Sequence, residues 1–595
     1  MRRWIATTGL LFLGLGVLLY GRALVFEFVE LDDPLLILEN PAAQSLTWPN
    51  IKTVFSTYDP ELYIPLTFVS YQIDAAIGGI DPFTFHAHNI LQHILNAWLF
   101  LLLAYALTKR QWVSLIAGLL FLVHPINVEG VLWISGRKDL LSMTFFLLAL
   151  LLYVHRERAY VPAYLGSLVS FLFGLLSKVT VAPLPFVLIL IDWYENRKIT
   201  VRSLLEKLPY VALSIIFSIV ALYGKSAAED LPVMTRILLA AKSLMFSLEK
   251  ILVPMNLSPM YADNTPISIV SLHFLIPLFF ALALVTVAVA MRNHWRAFAA
   301  SVAFILLMYA PSFANVVKNG DYYITADRYS YLPSLAVFLL AAVALARGES
   351  LLHRQGVAPG TAKRAVKAVA GLLIFVLALL SVRQSAVWSD TETLSRYVTE
   401  TSPDARLGHM WYGNALRDAG KIDQALAQYK EGLSFGDEPQ MYYNRSLAYE
   451  QQGNTVAAMA DLEKAVSIDP GYALARINLG RLYYTQGRRN DAKIEFMRAA
   501  EAAPLLAMPL FNLGVLEAEE KHFETAADFY RRALAKDPTL SDARANLVIA
   551  LLGLGQTAEA VEELKTTLKQ DPGNSTANTT LEQLIKAGIV KTGIP

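Results

Sequence analysis

The 595-residue sequence predicts an all-α chain in two parts, a polytopic bundle of membrane-spanning helices followed by a helical solenoid. Three observations predict it. Charged residues make up 17% of the chain, against about a quarter in an average soluble domain. The deficit is confined to residues 1–400, roughly 14% charged, whereas residues 401–595 reach roughly 24%. Apolar runs of spanning length fill the first part, and residue types in the second recur at an interval of 34. A net charge of +1 provides no electrostatic footprint for nucleic acid. The absence of cysteine excludes disulfides, thiolate catalysis and cysteine-ligated metals.

About 20 apolar residues cross a bilayer as a helix. Such runs lie near 4–22, 89–107, 112–128, 139–154, 160–176, 179–194, 208–224, 271–291, 297–313, 331–346 and 366–382, about eleven spans. Arg2 and Arg3 give the first run a signal-like start, but no clear cleavage site follows, so it reads as a retained helix. With the N-terminus inside, the internal connections carry Lys109 and Arg110, Arg156 and Arg158, Arg197 to Lys207, Arg292 and Arg296, and Arg347 to Lys367. Each is net basic, as the positive-inside rule requires. The first external loop, 23–88, sets Lys52 alone against nine acidic residues. An odd number of spans then places the solenoid outside. The expected location is a bacterial inner membrane, N-terminus cytoplasmic and solenoid periplasmic. The segment 236–254 carries Lys242, Glu249 and Lys250 and would break the charge alternation as a span, so it is expected to lie in the interface. So is 47–57, where Trp48, Ile51, Val54 and Phe55 share one helical face.

In the second part, Pro470, Pro504, Pro538 and Pro572 are spaced by 34, as are Asn444, Asn478, Asn512 and Asn546. Gly453, Gly487 and Gly555 keep that interval with Lys521 in the remaining slot, and Ala458, Ala492, Ala526 and Ala560 keep it too. Small residues where two helices cross, with proline ending the second, are the tetratricopeptide (TPR) signature. Gly420 and Ala425 mark an earlier repeat offset by 33, giving five repeats over 406–572. Residues 573–595 supply a capping helix and tail, and 383–405 a linker. The four asparagines fall where helix A lines the concave face. Each amide offers a donor and an acceptor to a peptide backbone, although the same residues also serve simply to solvate a helix.

Ionisable residues cluster at one face of the first part. Asp32 and Asp33 lie about ten residues past the first span, within FVELDDPLLILENP. FHAHNILQH carries His86, His88 and His93, and HPINVEGVLWISGRKDLL carries His124, Glu129, Arg137, Lys138 and Asp139. ADRYSYLP brings Asp327 and Arg328 to the mouth of the tenth span. Charge at a membrane boundary is costly unless it is paired or functional.

Together with YIPLT at 63–67 and LSK ending at Lys178, these strings resemble the GT-C glycosyltransferases, in particular the transmembrane-and-TPR-containing protein O-mannosyltransferases. Order, spacing and the trailing repeats agree over nearly the whole chain, with Asp327 where glutamate is the more usual residue. The resemblance implies a GT-C-like module over 1–382 and a polyprenyl-phosphate-linked sugar as donor. It implies a Ser/Thr hydroxyl of an extracytoplasmic protein, recruited by the repeats, as acceptor. Asp32 and Asp33 are the candidate catalytic carboxylates, since an inverting transfer needs a base for the attacking hydroxyl. Arg328, Arg137, Lys178 and His86 are candidates for the donor phosphate, with His93, His124, Glu129, Asp139 and Asp327 in support. On this reading Arg328 is a residue whose loss harms turnover more than folding. The histidines suit a divalent metal or a phosphate equally, so the cofactor stays open. The rival reading is a membrane-anchored TPR scaffold without catalysis.

Overall fold

The structure, a computed structural model, describes residues 2–58, 62–224, 231–314, 317–318 and 321–590. The last five residues of the expected tail lie outside them. The chain divides into two compact units, Met1–Tyr412 and Gly413–Pro595.

Among the described residues of the first unit, eight helical segments are long and apolar enough to cross a membrane. They are Arg2–Val25, Pro82–Thr108, Tyr160–Ser177, Val201–Tyr223, Leu272–Met291, Arg296–Phe313, Ser334–Arg354 and Pro359–Trp388. Of the eleven expected spans, the other three fall on segments that are bent, charged at one end or short. Gln111–Val123 and Pro125–Leu132 are apolar enough for a span only when taken together, and they are bent by 52° at the break between them. The break has a local cause: Pro125 lacks an N–H and pushes His124 into an extended conformation, φ −77° and ψ 129°. Arg137–Val154 is apolar after a first turn of three charged residues, and Val179–Tyr194 is a shorter apolar stretch. One departure from an all-helical unit is a two-residue antiparallel pair, Val317–Lys318 with Asp321–Tyr322.

Both amphipathic segments are helical. Trp48–Ser56 is capped by Thr47, whose hydroxyl accepts from the Asn50 amide, and leaves Trp48 exposed. Val233–Leu252 differs from a simple surface strut, because Lys242 turns inward and is buried against Asp263 and His273.

The stretch 383–405 is not an open linker. Asp390 caps a helix, Thr391–Thr401, by accepting from the Thr393 amide at 2.7 Å. The start of that helix holds the first loop: the Glu27 amide donates to the Ser389 carbonyl at 3.0 Å and the Glu30 amide to the Thr391 hydroxyl at 2.9 Å. The loop bearing Asp32 and Asp33 is thereby fastened to chain 361 residues away.

In the second unit, antiparallel helix pairs follow the repeat, from Pro439–Gln451 with Thr455–Ile468 to Ser541–Gly553 with Thr557–Gln570. A final helix, Ser575–Lys586, is capped by Asn574. Ala458, Ala492, Ala526 and Ala560 are fully buried where the helices of each pair cross. The turns between them need left-handed backbone: Gly453, Gly487 and Gly555 have φ of 80°, 76° and 75°. Lys521 adopts the same conformation, φ 63°, in the slot where glycine is missing.

Candidate active site

The loop after the first span turns sharply at Asp32–Asp33 and runs into one turn of π-helix, Pro34–Leu38, with Pro34 at its first position. The Leu36 amide donates to the Asp32 carbonyl at 2.9 Å. The two aspartates diverge. Asp33 is fully buried and accepts from the Val29 amide at 3.1 Å, the Ser135 amide at 2.9 Å and the Ser135 hydroxyl at 2.5 Å. Burial pushes its carboxyl up to about 6, against the opposing pull of those hydrogen bonds. Asp32 instead keeps 46% of its side chain exposed and pairs with the Lys138 ammonium at 2.8 Å.

Opposite them, Glu129–Lys138 is compressed into short helical pieces, Val128–Leu132 and Ile134–Gly136, broken at Trp133. Gly136 is required here: a Cβ would stand 2.7 Å from the Gly130 carbonyl oxygen, too close for any side chain. That approach brings Ser135 to Asp33 and Lys138 to Asp32. Glu129, 2% exposed, lies behind Arg328. Its carboxylate accepts from the Arg328 amide at 2.8 Å and from the Arg328 guanidinium at 2.5 Å, and a further guanidinium bond runs to the Pro259 carbonyl at 3.1 Å. Burial works against the charged form of Arg328, but the Glu129 carboxylate outweighs it and raises the pKa further above its ordinary value, so the group stays charged. The guanidinium also lies 5.1 Å from the Trp133 ring and 5.0 Å from the Tyr329 ring.

In front of Asp32 and Arg328 lies a cleft of about 90 Å³ that opens to solvent. Asp32 and Arg328 line it together with Trp133, Tyr323, Tyr329 and Trp411. A carboxylate and a guanidinium face one space walled by aromatic rings, a setting for a ligand with hydroxyls, an apolar face and a negative charge.

The structure distributes the remaining sequence candidates differently. Arg137 is fully buried and its donors are taken: by Asp74 at 2.8 Å, the Phe85 carbonyl at 2.9 Å, His88 at 2.8 Å, Ser70 at 3.3 Å and Asn89. It ties three helices together and does not line the cleft. Lys178 reaches both oxygens of Asp139, at 2.6 and 2.7 Å, so each of the two neutralises the other. His86 is buried edge-on to Phe26, ring centroids 6.4 Å apart. His93 bonds the Tyr331 hydroxyl at 2.8 Å and the Leu122 carbonyl at 3.2 Å. His124 caps the proline bend through the Ile126 amide and reaches the Ile251 carbonyl at 2.9 Å. Asp327 points away from the cleft and accepts from the Tyr261 hydroxyl at 2.8 Å. Burial and the nearby Glu129 charge raise its carboxyl well above the ordinary range.

Lys138, Trp133 and Tyr329 sit inside strings that the sequence marks, yet receive no role there. Trp411 carries no local signal. Among the described residues, the trio whose ligand atoms lie close enough to share a cation is Glu517, Glu520 and His522, on a turn of the second unit. Of the four repeat asparagines, Asn444 is buried and Asn478 donates to the Tyr443 hydroxyl at 3.3 Å. Asn512 and Asn546 are half-buried.

Fold and site together define a polytopic helical membrane protein that carries a TPR solenoid and, in its first unit, an acidic–basic aromatic cleft. Tetratricopeptide-repeat family models match residues 412–473, 449–507 and 517–584. The chain resembles the transmembrane-and-TPR protein O-mannosyl-transferases. It is 26% identical to protein O-mannosyl-transferase TMTC1 of Homo sapiens over 490 residues, 71% of this chain and 54% of that protein. It is 35% identical to TMTC1 of Mus musculus over 153 residues, 24% of this chain and 16% of that one. Identity to tmtc2 of Xenopus laevis is also 35%, over 147 residues, 24% of this chain and 18% of that one. The chain thus spans about half the length of the first of these relatives and less than a fifth of the other two. Among solved structures, the crystal structure of MamA protein matches at 21% identity and a TM-score of 0.26, over 32% of this chain and 98% of that one. YrrB, described as a TPR protein with an unusual peptide-binding site, matches at 19% identity and a TM-score of 0.28, over 32% of this chain and 97% of that one.

Proposed function

We propose that the chain transfers a sugar from a polyprenyl-phosphate-type donor to a Ser/Thr hydroxyl of an extracytoplasmic protein, with inversion at the anomeric carbon. The observation that carries this is the cleft in which Asp32 and Arg328 face one space, each braced from behind by a buried partner of opposite charge. The acceptor hydroxyl is far less acidic than a carboxylic acid, so its proton passes to Asp32 as the new C–O bond forms. The bond between the anomeric carbon and the donor phosphate oxygen breaks in the same step. Negative charge grows on the leaving phosphate, and Arg328 stabilises it. Lys138 orients the Asp32 carboxylate, while Trp133, Tyr329 and Trp411 offer rings to the sugar. Asp33 positions the loop through Ser135 and takes no proton from substrate. The repeats hold an extended acceptor segment, raising its effective concentration without adding chemistry. In this reading the N-terminus is cytoplasmic and the cleft faces the other side.

The test is Asp32→Asn in a deletion strain, read by mass spectrometry of extracytoplasmic proteins. Glycosylation should fall by about 10²–10⁴ with unchanged expression. A scaffold would keep its phenotype despite this substitution, and undiminished glycosylation removes Asp32 from the chemistry. A reporter that is active only in the cytoplasm should stay silent when fused to the C-terminus.

A further inference from the structure

The helix Ser334–Arg354 starts four residues beyond the Asp327–Ser330 turn of the cleft and carries the chain about 30 Å away from it. At its far end lies another open cavity, of about 430 Å³. The Lys109–Arg110 turn, the end of this helix and the start of Pro359–Ser385 enclose it, with Arg110, Gln111, Trp112, Glu349, Ser350 and His353 in its wall.

Charge at this end is unbalanced. Within 109–112 and 346–367, Lys109, Arg110, Arg347, Arg354, Lys363, Arg364 and Lys367 stand against one acidic residue, Glu349, with Glu195 of the next connection near Arg110 and Arg347. Among the described residues none of these cations makes an ion pair with a carboxylate. Their recorded contacts are neutral: Lys109 to the Ala106 carbonyl, Arg364 to the Gly360 carbonyl, Arg347 over the Trp295 ring at 4.6 Å and Lys367 over the Trp112 ring at 5.3 Å. The neighbouring connections behave in the opposite way. There Asp192 takes Arg156 at 3.1 Å, Lys207 at 2.7 Å and Arg197 at 3.7 Å, and Glu195 takes Arg197 again at 2.9 Å. One cluster of cations is neutralised by the fold itself; the other is left for an external anion.

The surroundings specify how that anion arrives. Leu351, Val369 and Leu372 are exposed on the two span helices that border the cavity, and Trp112 is half-buried at its edge. A ligand here meets cations and hydrocarbon-facing side chains together. We propose that this cavity binds the phosphate headgroup of an anionic phospholipid from the leaflet at that end of the bundle. Arg110, in the cavity wall, holds the phosphate, Lys367 adds positive charge from over the Trp112 ring that borders it, and the acyl chains lie along the exposed apolar faces. Gln111, Ser350 and Glu349 face headgroup hydroxyls, which favours phosphatidylglycerol over a headgroup without them. The site requires that the helices span a membrane but does not depend on the transferase reading.

The test uses the full-length protein in nanodiscs of phosphatidylcholine, with or without phosphatidylglycerol. Phosphatidylglycerol should raise the unfolding temperature by about 2–4 °C. Native mass spectrometry should show it retained in preference to phosphatidylcholine. Arg110→Gln with Lys367→Gln should abolish both effects. Arg202→Gln, at an exposed and already paired cation of a neighbouring connection, should leave both intact. Inorganic phosphate added to phosphatidylcholine discs should not reproduce the shift; if it does, the site takes free phosphate and the lipid assignment falls. Wild-type protein that retains the two lipids equally overturns the proposal, even if the double variant fails to fold.

Discussion

Removing the Arg328 side chain should damage the fold before it informs on catalysis. Glu129 is 2% exposed and its carboxylate takes both the Arg328 guanidinium and the Arg328 amide. Arg328→Ala leaves that carboxylate buried with the backbone donor alone. Breaking a buried pair on one side typically costs about 3–5 kcal/mol, and the surviving amide bond argues for the lower end. That is a large share of the about 5–15 kcal/mol that holds a typical domain folded. Glu129→Gln should cost about 1.5–3 kcal/mol, because the guanidinium loses its counter-charge but keeps the Pro259 carbonyl. Arg328→Met combined with Glu129→Gln removes both charges at once, so its cost should fall short of the sum of Arg328→Met and Glu129→Gln by about 2 kcal/mol. The assay is unfolding of the four proteins in one detergent, read as a double-mutant cycle. Additivity within about 0.5 kcal/mol would refute the claim that the pair is a coupled unit. The catalytic role needs a gentler change. Arg328→Lys keeps the positive charge and sacrifices the fork, so the fold should survive while turnover at saturating donor falls by about ten- to a hundredfold. A wild-type rate would take Arg328 off the phosphate.

Three other expectations are independent of that pair. Asp33 has a folded-state pKa of about 6 against an unfolded value near 3.8, so its contribution to stability is complete below pH 4 and is lost as the pH rises to 6. The loss should amount to about 3 kcal/mol, and Asp33→Asn should flatten that part of the unfolding-temperature profile relative to wild type. Lys521 holds φ 63° in a turn where the other repeats place glycine, so Lys521→Gly should stabilise the solenoid by about 0.5–1 kcal/mol in denaturant unfolding. A destabilised variant would mean that the Lys521 side chain compensates its backbone. Replacing Asn478, Asn512 and Asn546 with Ala should raise the KM for a full-length protein acceptor more than it lowers kcat, each amide contributing about 0.5–1.5 kcal/mol. An unaltered KM would make the asparagines structural.

The parts of this protein that depend on neighbours in sequence were legible from it. Hydrophobic length marks the spans, since a helix satisfies its own backbone and needs only enough apolar residues to cross a bilayer. The interval of 34 marks the repeats, because each buries an alanine at the same position against the next helix and turns at the same left-handed position. The acidic loop and the basic mouths also showed in the sequence, as charge where charge is expensive.

What the sequence could not apportion was the use of each charge. Asp32 and Asp33 are adjacent and chemically identical, yet one is sealed under Ser135 and the other opens into the cleft. Arg137 and Arg328 read alike as phosphate ligands, but Asp74 and Asn89 consume the first, while the second turns toward Trp133 and Tyr329. The difference comes from contacts between segments about 50 to 200 residues apart. Burial decides whether a charge is spent on the fold or kept for a ligand, and burial is a property of tertiary packing, which no local pattern of residues encodes.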